Sequence, residues 1–261
     1  MRDTFTVAAL ISAGRHPVSG TPRACHVDAV AMALGRWIAG DALRVVHAGA
    51  AEEPSLQDYL ALGAGTIEVL PIGAGNDPVP ELATYLRDVD IIITGNNAER
   101  GRGSGLLPYA LAEALKRPVV SNALDVRLAG SAEAGWNAEI RQFLPKGQRR
   151  RIACPLPLVI SVHPRAQVEL KYAYARRVSG RIEIVASQTT AAPVIAPEWT
   201  METASRRPVR LKAQDGKSAH ARMQSAIVSE AKGGVVAFEG TTVDKAQVML
   251  NYLREHRLVD F

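Results

Sequence analysis

Short apolar runs alternate with amphipathic stretches from the start of the chain to about Val120, the signature of βαβ units around a parallel sheet. Five strands are predicted there: Phe5 to Ile11, Leu43 to His47, Thr66 to Leu70, Val89 to Thr94 and Pro118 to Val120. Several are near-continuous apolar runs, as strands buried on both faces should be, so helices are expected to cover the sheet. Val27, Val30, Ala31, Leu34 and Trp37 fall at i, i+3, i+4, i+7 and i+10 and predict one apolar helical stripe that packs on it. Leu56, Tyr59, Leu60 and Gly63 repeat the logic after Pro54, a third helix is expected from about Pro80 to Arg87, and Leu107, Leu111, Ala114 and Leu115 share a face of a fourth. Pro108 is tolerable in that helix because it sits in the first turn. Right-handed crossovers would make the whole one doubly wound layer.

Beyond Val120 the apolar pieces are shorter: Asp125 to Ala129, Arg150 to Ala153, Leu158 to Val162 and Arg181 to Ala186. Pro155 and Pro157 interrupt them, which predicts edge strands or hairpins. From Ser187 to Gly240 the chain is rich in Thr, Ala, Pro, Ser and Arg with little periodicity, and reads as an extended arm. It leads to a final helix opened by Thr241 and Asp244 at capping-box spacing, with Val243, Ala246, Leu250 and Leu253 along one face. Such a helix needs a surface to bury against. The expected organisation is an α/β domain over residues 1–186, doubly wound with a mostly parallel, Rossmann-like sheet, and an arm and helix over residues 187–261.

Hydrophobic residues make up 47% and charged residues 22% of the 261 residues, the balance of a soluble globular protein. No run approaches the roughly 18 apolar residues of a membrane span, so no membrane insertion is expected, and Met1 to Ile11 reads directly as a strand with no secretory leader. Two cysteines, Cys25 and Cys154, rule out a disulfide framework, and a reducing cytoplasm is the simplest home. The net charge of +5 includes two basic clusters, Lys146 with Arg149, Arg150 and Arg151, and Arg206, Arg207, Arg210 and Lys212. Without interleaved aromatics these read as solvated faces or docking surfaces for an acidic partner, and not as a nucleic-acid site.

The most informative segment is the strand Ile91 to Thr94, followed by the glycine-rich stretch Gly95 to Gly105 and then a helix. That combination presents backbone N–H groups and a positive helix end to an anion, and phosphate is the natural guest. Gly101, Gly103 and Gly105 let the backbone approach, Ser104 offers a hydroxyl, and Arg100 or Arg102 adds charge. No Gly-Lys-Ser or Gly-Lys-Thr follows, so it is not a Walker loop; taken alone, a flexible turn remains an equal reading. Ala9 to Gly14, Thr21-Pro22-Arg23-Ala24 opening the first helix, and Ala48-Gly49 lie at the carboxyl ends of the first strands, where ligands of open α/β sheets sit. They leave room for an adenine and ribose, or are plain βα loops with small residues for packing. The histidines His16, His26, His47, His163, His220 and His256 show no metal spacing, and no GxSxG elbow is present. Cys25 at the start of the first helix is either a stabilised thiolate or a half-buried helix residue.

These segments, in this order, resemble the beta subunit of electron transfer flavoproteins, whose fold belongs with the adenine nucleotide alpha hydrolase-like domains. The resemblance runs from Val7-Ala8-Ala9 through Thr21 to Ala24, Val46-His47-Ala48-Gly49, Tyr59-Leu60-Ala61-Leu62-Gly63-Ala64, Asp90 to Gly95 and Gly103-Ser104-Gly105. It continues through Gly216-Lys217-Ser218-Ala219, Arg222-Met223, Glu239-Gly240-Thr241 and Asn251 to Glu255. It implies a non-enzymatic electron carrier, a heterodimer with an alpha subunit whose FAD it helps to hold, and an AMP, or in some relatives a second FAD, in the beta subunit itself. Carried onto this chain, cofactor contacts fall at Ala9, His16, Thr21, Pro22, Arg23, Ala24, Ala48, Gly95, Asn97, Ala98, Arg100, Gly103, Ser104, Gly105, Leu106 and Leu107. Arg23 and His16 are the candidates to face the flavin, where the Arg23 cation would stabilise a reduced, anionic ring.

Two departures shape the reading. The glycine-rich loop is shorter than the family's common form and lacks its aspartates. The recognition loop, usually Arg-Tyr-x-Thr-Leu-Pro, is replaced by Glu169-Leu170-Lys171-Tyr172-Ala173-Tyr174. The electron donor expected is therefore not an ordinary acyl-CoA dehydrogenase but a flavoprotein dehydrogenase of amine or methylated-amine catabolism, docking near Glu169 to Arg177. Leu170, Tyr172 and Tyr174 are its candidate anchors, or the tyrosines merely cap the sheet edge. The competing reading is a nucleotide-binding regulator of the universal-stress type, which shares the sheet but not the arm. An ATP-dependent ligase would need a Ser-Gly-Gly-x-Asp-Ser loop where this chain has Ile11-Ser12-Ala13-Gly14-Arg15-His16.

Overall fold

The structure is a computed structural model that describes residues 5–73, 75–101, 103–131, 135–186, 223 and 239–255. Its centre is a sheet of nine strands: β1 (Val7–Ile11), β4 (Arg44–Ala48), β5 (Thr66–Leu70), β6 (Ile91–Gly95), β7 (Val119–Ser131), β8 (Gly135–Phe143), β9 (Arg149–Pro155), β10 (Leu158–Val162) and β11 (Arg181–Ile184). They are ordered β11-β5-β4-β1-β6-β10-β7-β8-β9. From β11 to β7 every neighbouring pair is parallel; β8 and β9 continue as an antiparallel meander. A separate two-stranded ribbon pairs β2 (Ala13–Arg15) with β3 (Pro22–Ala24).

The sheet is covered on both faces, as the fully buried β1 and β6 demand. Along β6, Ile91 and Ile93 join one cluster with Val30, Ala31 and Leu34 of α1 (His26–Ala39), while Ile92 joins another with Leu82 and Leu111 of α3 (Val79–Tyr85) and α4 (Leu107–Leu115). In β1, Ala9 and Ile11 pack with Leu56, Tyr59 and Leu60 of α2 (Leu56–Leu62). The period-two alternation of a strand thus sends successive side chains to opposite helical layers. The doubly wound α/β architecture read from the sequence is what forms.

Several expectations change in detail. Trp37 is 78% exposed and does not continue the α1 stripe. Ten residues at 3.6 per turn leave it about 80° off the direction of Val27, beyond the edge of the buried face. Thr21 to Ala24 do not open that helix: Pro22, Arg23 and Ala24 form β3, and α1 begins at His26 with Cys25 in extended conformation as its N-cap. Of the predicted Pro118 to Val120 strand, Val119 and Val120 join Asp125 to Ala129 in one strand, β7, whose register is irregular between Ala123 and Asp125. Its partner β8 was not predicted, because Trp136, Ala138 and Ile140 alternate with Asn137, Glu139 and Arg141 and give only a short apolar signal. Most importantly, Leu158 to Val162 is no edge strand. It is inserted between β6 and β7, parallel to both and buried throughout, because Pro155 and Pro157 precede it and leave its own N–H groups free for the ladders. The Arg149–Arg151 run lies on β9, the outermost strand, where charge blunts an exposed edge.

The chain divides into two compact units, Met1–Glu198 and Trp199–Phe261. The segment expected to form an arm, here residues 187–238 with Arg206, Arg207, Arg210, Lys212 and Gly216-Lys217-Ser218-Ala219, lies outside the described residues apart from Met223. In the second unit α6 (Thr242–Glu255) carries the expected capping box: the Asp244 carboxylate accepts from Thr241 N at 2.8 Å and Thr241 Oγ1 at 2.7 Å. No residue of α6 is buried. Among the described residues no helix is long and apolar enough to cross a membrane.

Candidate functional site

Parallel strands β4, β1 and β6 set the location. The chain moves outward from β1 through β4 to β5, then returns to the other side of β1 to lay down β6, so the crossovers diverge between β1 and β6. A crevice opens at the carboxyl ends of two such strands. The β1–β6 ladder pairs Val7 with Ile91, Ala8 with Ile92 and Ala9 with Ile93 and goes no further. Past its end lies a cleft of about 210 Å³ lined by Leu10, Ile11 and Ser12 on one side and by Thr94, Asn96, Asn97, Ala98 and the loop through Pro108 on the other.

The glycine-rich loop is shaped by its own backbone. Gly105 has φ +67°, and a Cβ there would stand 2.5 Å from the Asn96 carbonyl oxygen, so only glycine lets the loop close on itself before α4 begins. At that helix start Leu106 is the N-cap and no side chain caps the first turn; Ser104 Oγ accepts from Leu106 N at 3.3 Å. The positive end of α4 therefore lies against the cleft, but Pro108 brings no N–H and Tyr109 N donates to Leu106 O at 3.1 Å, so Leu107 N is the first-turn donor left for an anion. Asn96 Oδ1 is buried beside the cleft without a hydrogen-bond partner, an acceptor left for a hydroxyl or amino donor.

Two ion pairs fasten the loop. Arg23 Nε and Nη2 donate to Glu99 at 3.2 and 3.1 Å, and Glu99 also accepts from His26 N at the start of α1. Arg100 Nη1 donates to Glu53 at 2.6 Å, ahead of α2. Arg23, offered by the sequence to a flavin, and Arg100, offered to a phosphate, are thus engaged by carboxylates; Arg102 lies outside the described residues.

Beneath the loop lies a buried polar network. Asp28 in α1 accepts from Ser12 N at 2.8 Å, from Ser12 Oγ and from Gly95 N at 3.2 Å. Tyr59 donates to the Ser12 carbonyl at 2.8 Å and accepts from Cys25 N at 2.9 Å. Burial pushes the Asp28 carboxyl up to about 6, the Ser12 hydrogen bonds only partly offsetting it. The Cys25 thiol is fully buried and pushed up to about 11 by burial and then by Asp28, so it is no thiolate. His47 Nδ1 donates to the Ile11 carbonyl at 3.0 Å, and burial lowers the His47 pKa.

Of the residues expected at the site, Asn97, Ala98, Arg100, Gly103, Ser104, Gly105, Leu106 and Leu107 line the cleft, and Gly95 is the buried last residue of β6 between the lining residues Thr94 and Asn96. Ala9 is fully buried in β1, and Ala48 ends β4. His16, Thr21, Pro22, Arg23 and Ala24 belong to the ribbon and its turn, where His16 Nδ1 accepts from Val18 N and Ser19 N; none of them lines the cleft. Ser12, Asp28 and Asn96 were missed. Asp28 had a visible signal: it stands three and four residues before Ala31 and Met32, on the buried face of α1, where a carboxylate needs a reason.

On the proposed docking segment, Leu170 packs against two core clusters and is no free anchor. Tyr172 and Tyr174, at 54% and 68% exposure, project to solvent. A separate groove of about 590 Å³ adjoins the segment, lined by Met32, Trp37, Leu124, Arg127, Arg141 and Glu169 among others.

No family model matches the chain. A curated protein of Chromohalobacter salexigens named electron transfer flavoprotein subunit beta is 36% identical to it over 265 residues, which cover 99% of this chain and 97% of that protein.

Proposed function

The chain belongs to the electron transfer flavoprotein beta-subunit family, and from that premise we propose that it binds AMP in the β1–β6 cleft and acts as half of a heterodimeric electron carrier. Its larger partner is an alpha subunit, whose FAD this chain helps to hold; the flavin, when bound, supplies the redox chemistry. The chain's own residues bind, orient and dock. The observation that carries the nucleotide reading is the uncapped N-terminus of α4 behind a glycine loop that closes only through Gly105. The cleft is small, about 210 Å³, which supports a mononucleotide with part of its length outside the cleft over the larger FAD. Asn96 Oδ1 gives a ribose hydroxyl or adenine amino group a partner.

The exposed ribbon turn around His16 and Val18 is the surface proposed to approach the flavin, with Arg23 behind it held by Glu99. Tyr172 and Tyr174 are proposed as anchors for the donor, a flavoprotein dehydrogenase of amine or methylated-amine oxidation. The exposed apolar side chains of α6, Val243 and Met249 among them, are proposed to bury against the alpha subunit. The cytoplasm is the proposed compartment.

Co-expression with an alpha subunit and size-exclusion chromatography test the assembly. A one-to-one complex carrying yellow flavin absorbance is expected; a chain that elutes alone and colourless beside a well-folded alpha subunit would contradict the proposal.

A further inference from the structure

We propose that Asp28 is a positioning residue for nucleotide binding, setting the spacing between the two walls of the β1–β6 cleft. The inference rests on the AMP reading of that cleft. The ladder between β1 and β6 ends at Ala9 and Ile93, yet the cleft walls are built by the residues beyond it, Leu10 to Ser12 on one side and Thr94, Asn96 to Ala98 and Gly103 to Leu107 on the other. Past that point the register pairing of these two strands stops. Asp28 takes its place: Oδ2 accepts from the Ser12 backbone and hydroxyl, and Oδ1 accepts from Gly95 N. One carboxylate from α1 therefore bridges the two strand ends at the point where they part.

The surrounding residues are fitted to that bridge. A Cβ on Gly95 would fall 2.2 Å from Asp28 Oδ1, so the carboxylate reaches the strand only because residue 95 is glycine. The far side of Ser12 is fixed as well, its carbonyl accepting from Tyr59 Oη. Asp28 is 5% exposed and makes no ion pair among the described residues, so its burial is not explained by a charge partner. An ionised carboxylate accepts from all three donors at once; an amide in its place turns an N–H donor toward one of them and releases a strand end.

A ligand that spans both walls loses more from such a release than one that uses a single wall, because the second contact is tightened only when the spacing is fixed. AMP places its phosphate at the α4 end and its nucleoside toward the β1 side, whereas adenosine lacks the phosphate. Asp28→Asn is therefore expected to weaken AMP by roughly tenfold or more, the scale of a lost charged hydrogen bond, and adenosine by clearly less, so the AMP-to-adenosine affinity ratio narrows. General loosening of the fold would weaken both together.

The test is calorimetric titration of the nucleotide-stripped heterodimer with AMP and with adenosine, for wild type, Asp28→Asn and Ser12→Ala, with bound FAD per heterodimer as a fold control. Ser12→Ala removes only the hydroxyl bond and should narrow the ratio less; it decides the question if Asp28→Asn fails to retain FAD. An unchanged ratio in the folded variants, with wild type binding AMP, overturns the role of Asp28 alone. Wild type that binds neither ligand overturns the nucleotide reading, and the inference with it.

Discussion

Arg23 and Glu99, 76 residues apart, meet through two hydrogen bonds of 3.2 and 3.1 Å and so join the β2–β3 ribbon to the glycine-rich loop. With Arg100 and Glu53 on the other side, the loop is held at both flanks by partly exposed ion pairs. Exposed pairs of this kind add under about 1 kcal/mol to stability, so their consequence is local order and charge balance.

That balance makes a prediction about the flavin. If the ribbon faces the FAD of the alpha subunit, Arg23→Ala removes a cation and lowers the flavin reduction potential, while Glu99→Gln frees the cation and raises it. Spectroelectrochemical titration of the heterodimer checks both signs. Potentials unchanged in both variants would remove Arg23 from the flavin environment.

Two glycines in the same loop separate backbone demand from mere flexibility. Gly105→Ala must place a side chain at φ +67° against the Asn96 carbonyl, whereas Gly101→Ala, at φ +77°, meets nothing within 4 Å. Both carry the left-handed penalty of about 1–2 kcal/mol. Only Gly105→Ala is expected to abolish AMP retention in addition, as measured by nucleotide release from the purified complex; equal retention in both would contradict the closure described for the loop.

The range of each interaction decides how much of it the sequence displays. Periodicity is local, so the parallel core, the α4 start and the Thr241–Asp244 cap were all legible. The place of β10 was not, because strand order depends on pairings between residues such as Val159 and both Ile92 and Val119. The glycine loop was visible as composition, and it does line the cleft. The ribbon resembles the opening of the first helix because Pro22 looks like a first-turn proline, and its pairing to Ala13–Arg15 is a tertiary fact. Asp28 stood in plain view within an apolar stripe, but its partners Ser12 and Gly95 are distant in sequence.

The raised pKa of Asp28 has an effect on stability opposite to that of most carboxylates. Burial moves it from 3.8 to about 6, so the folded state holds the proton more tightly than the unfolded chain. Its favourable contribution is complete below about 3.8 and is lost as pH rises through about 6; above that the ionised group costs about 3 kcal/mol relative to an exposed one, two units at about 1.4 kcal/mol each. His47, with its lowered pKa, works in the other direction but is common to wild type and Asp28→Asn. In urea unfolding of the heterodimer, wild type should therefore gain on the variant by up to about 3 kcal/mol between about pH 8 and about pH 4. A pH-independent difference would contradict the burial of an ionisable carboxyl at this position.

The most direct test of the central claim is a count of cofactors released on denaturing the complex purified after co-expression with its alpha subunit. The account predicts one FAD and one AMP per heterodimer. Two FADs, or one FAD with no nucleotide at any preparation pH, would contradict the AMP site between β1 and β6, and a lone chain that binds ATP and ignores the alpha subunit would contradict the carrier role itself.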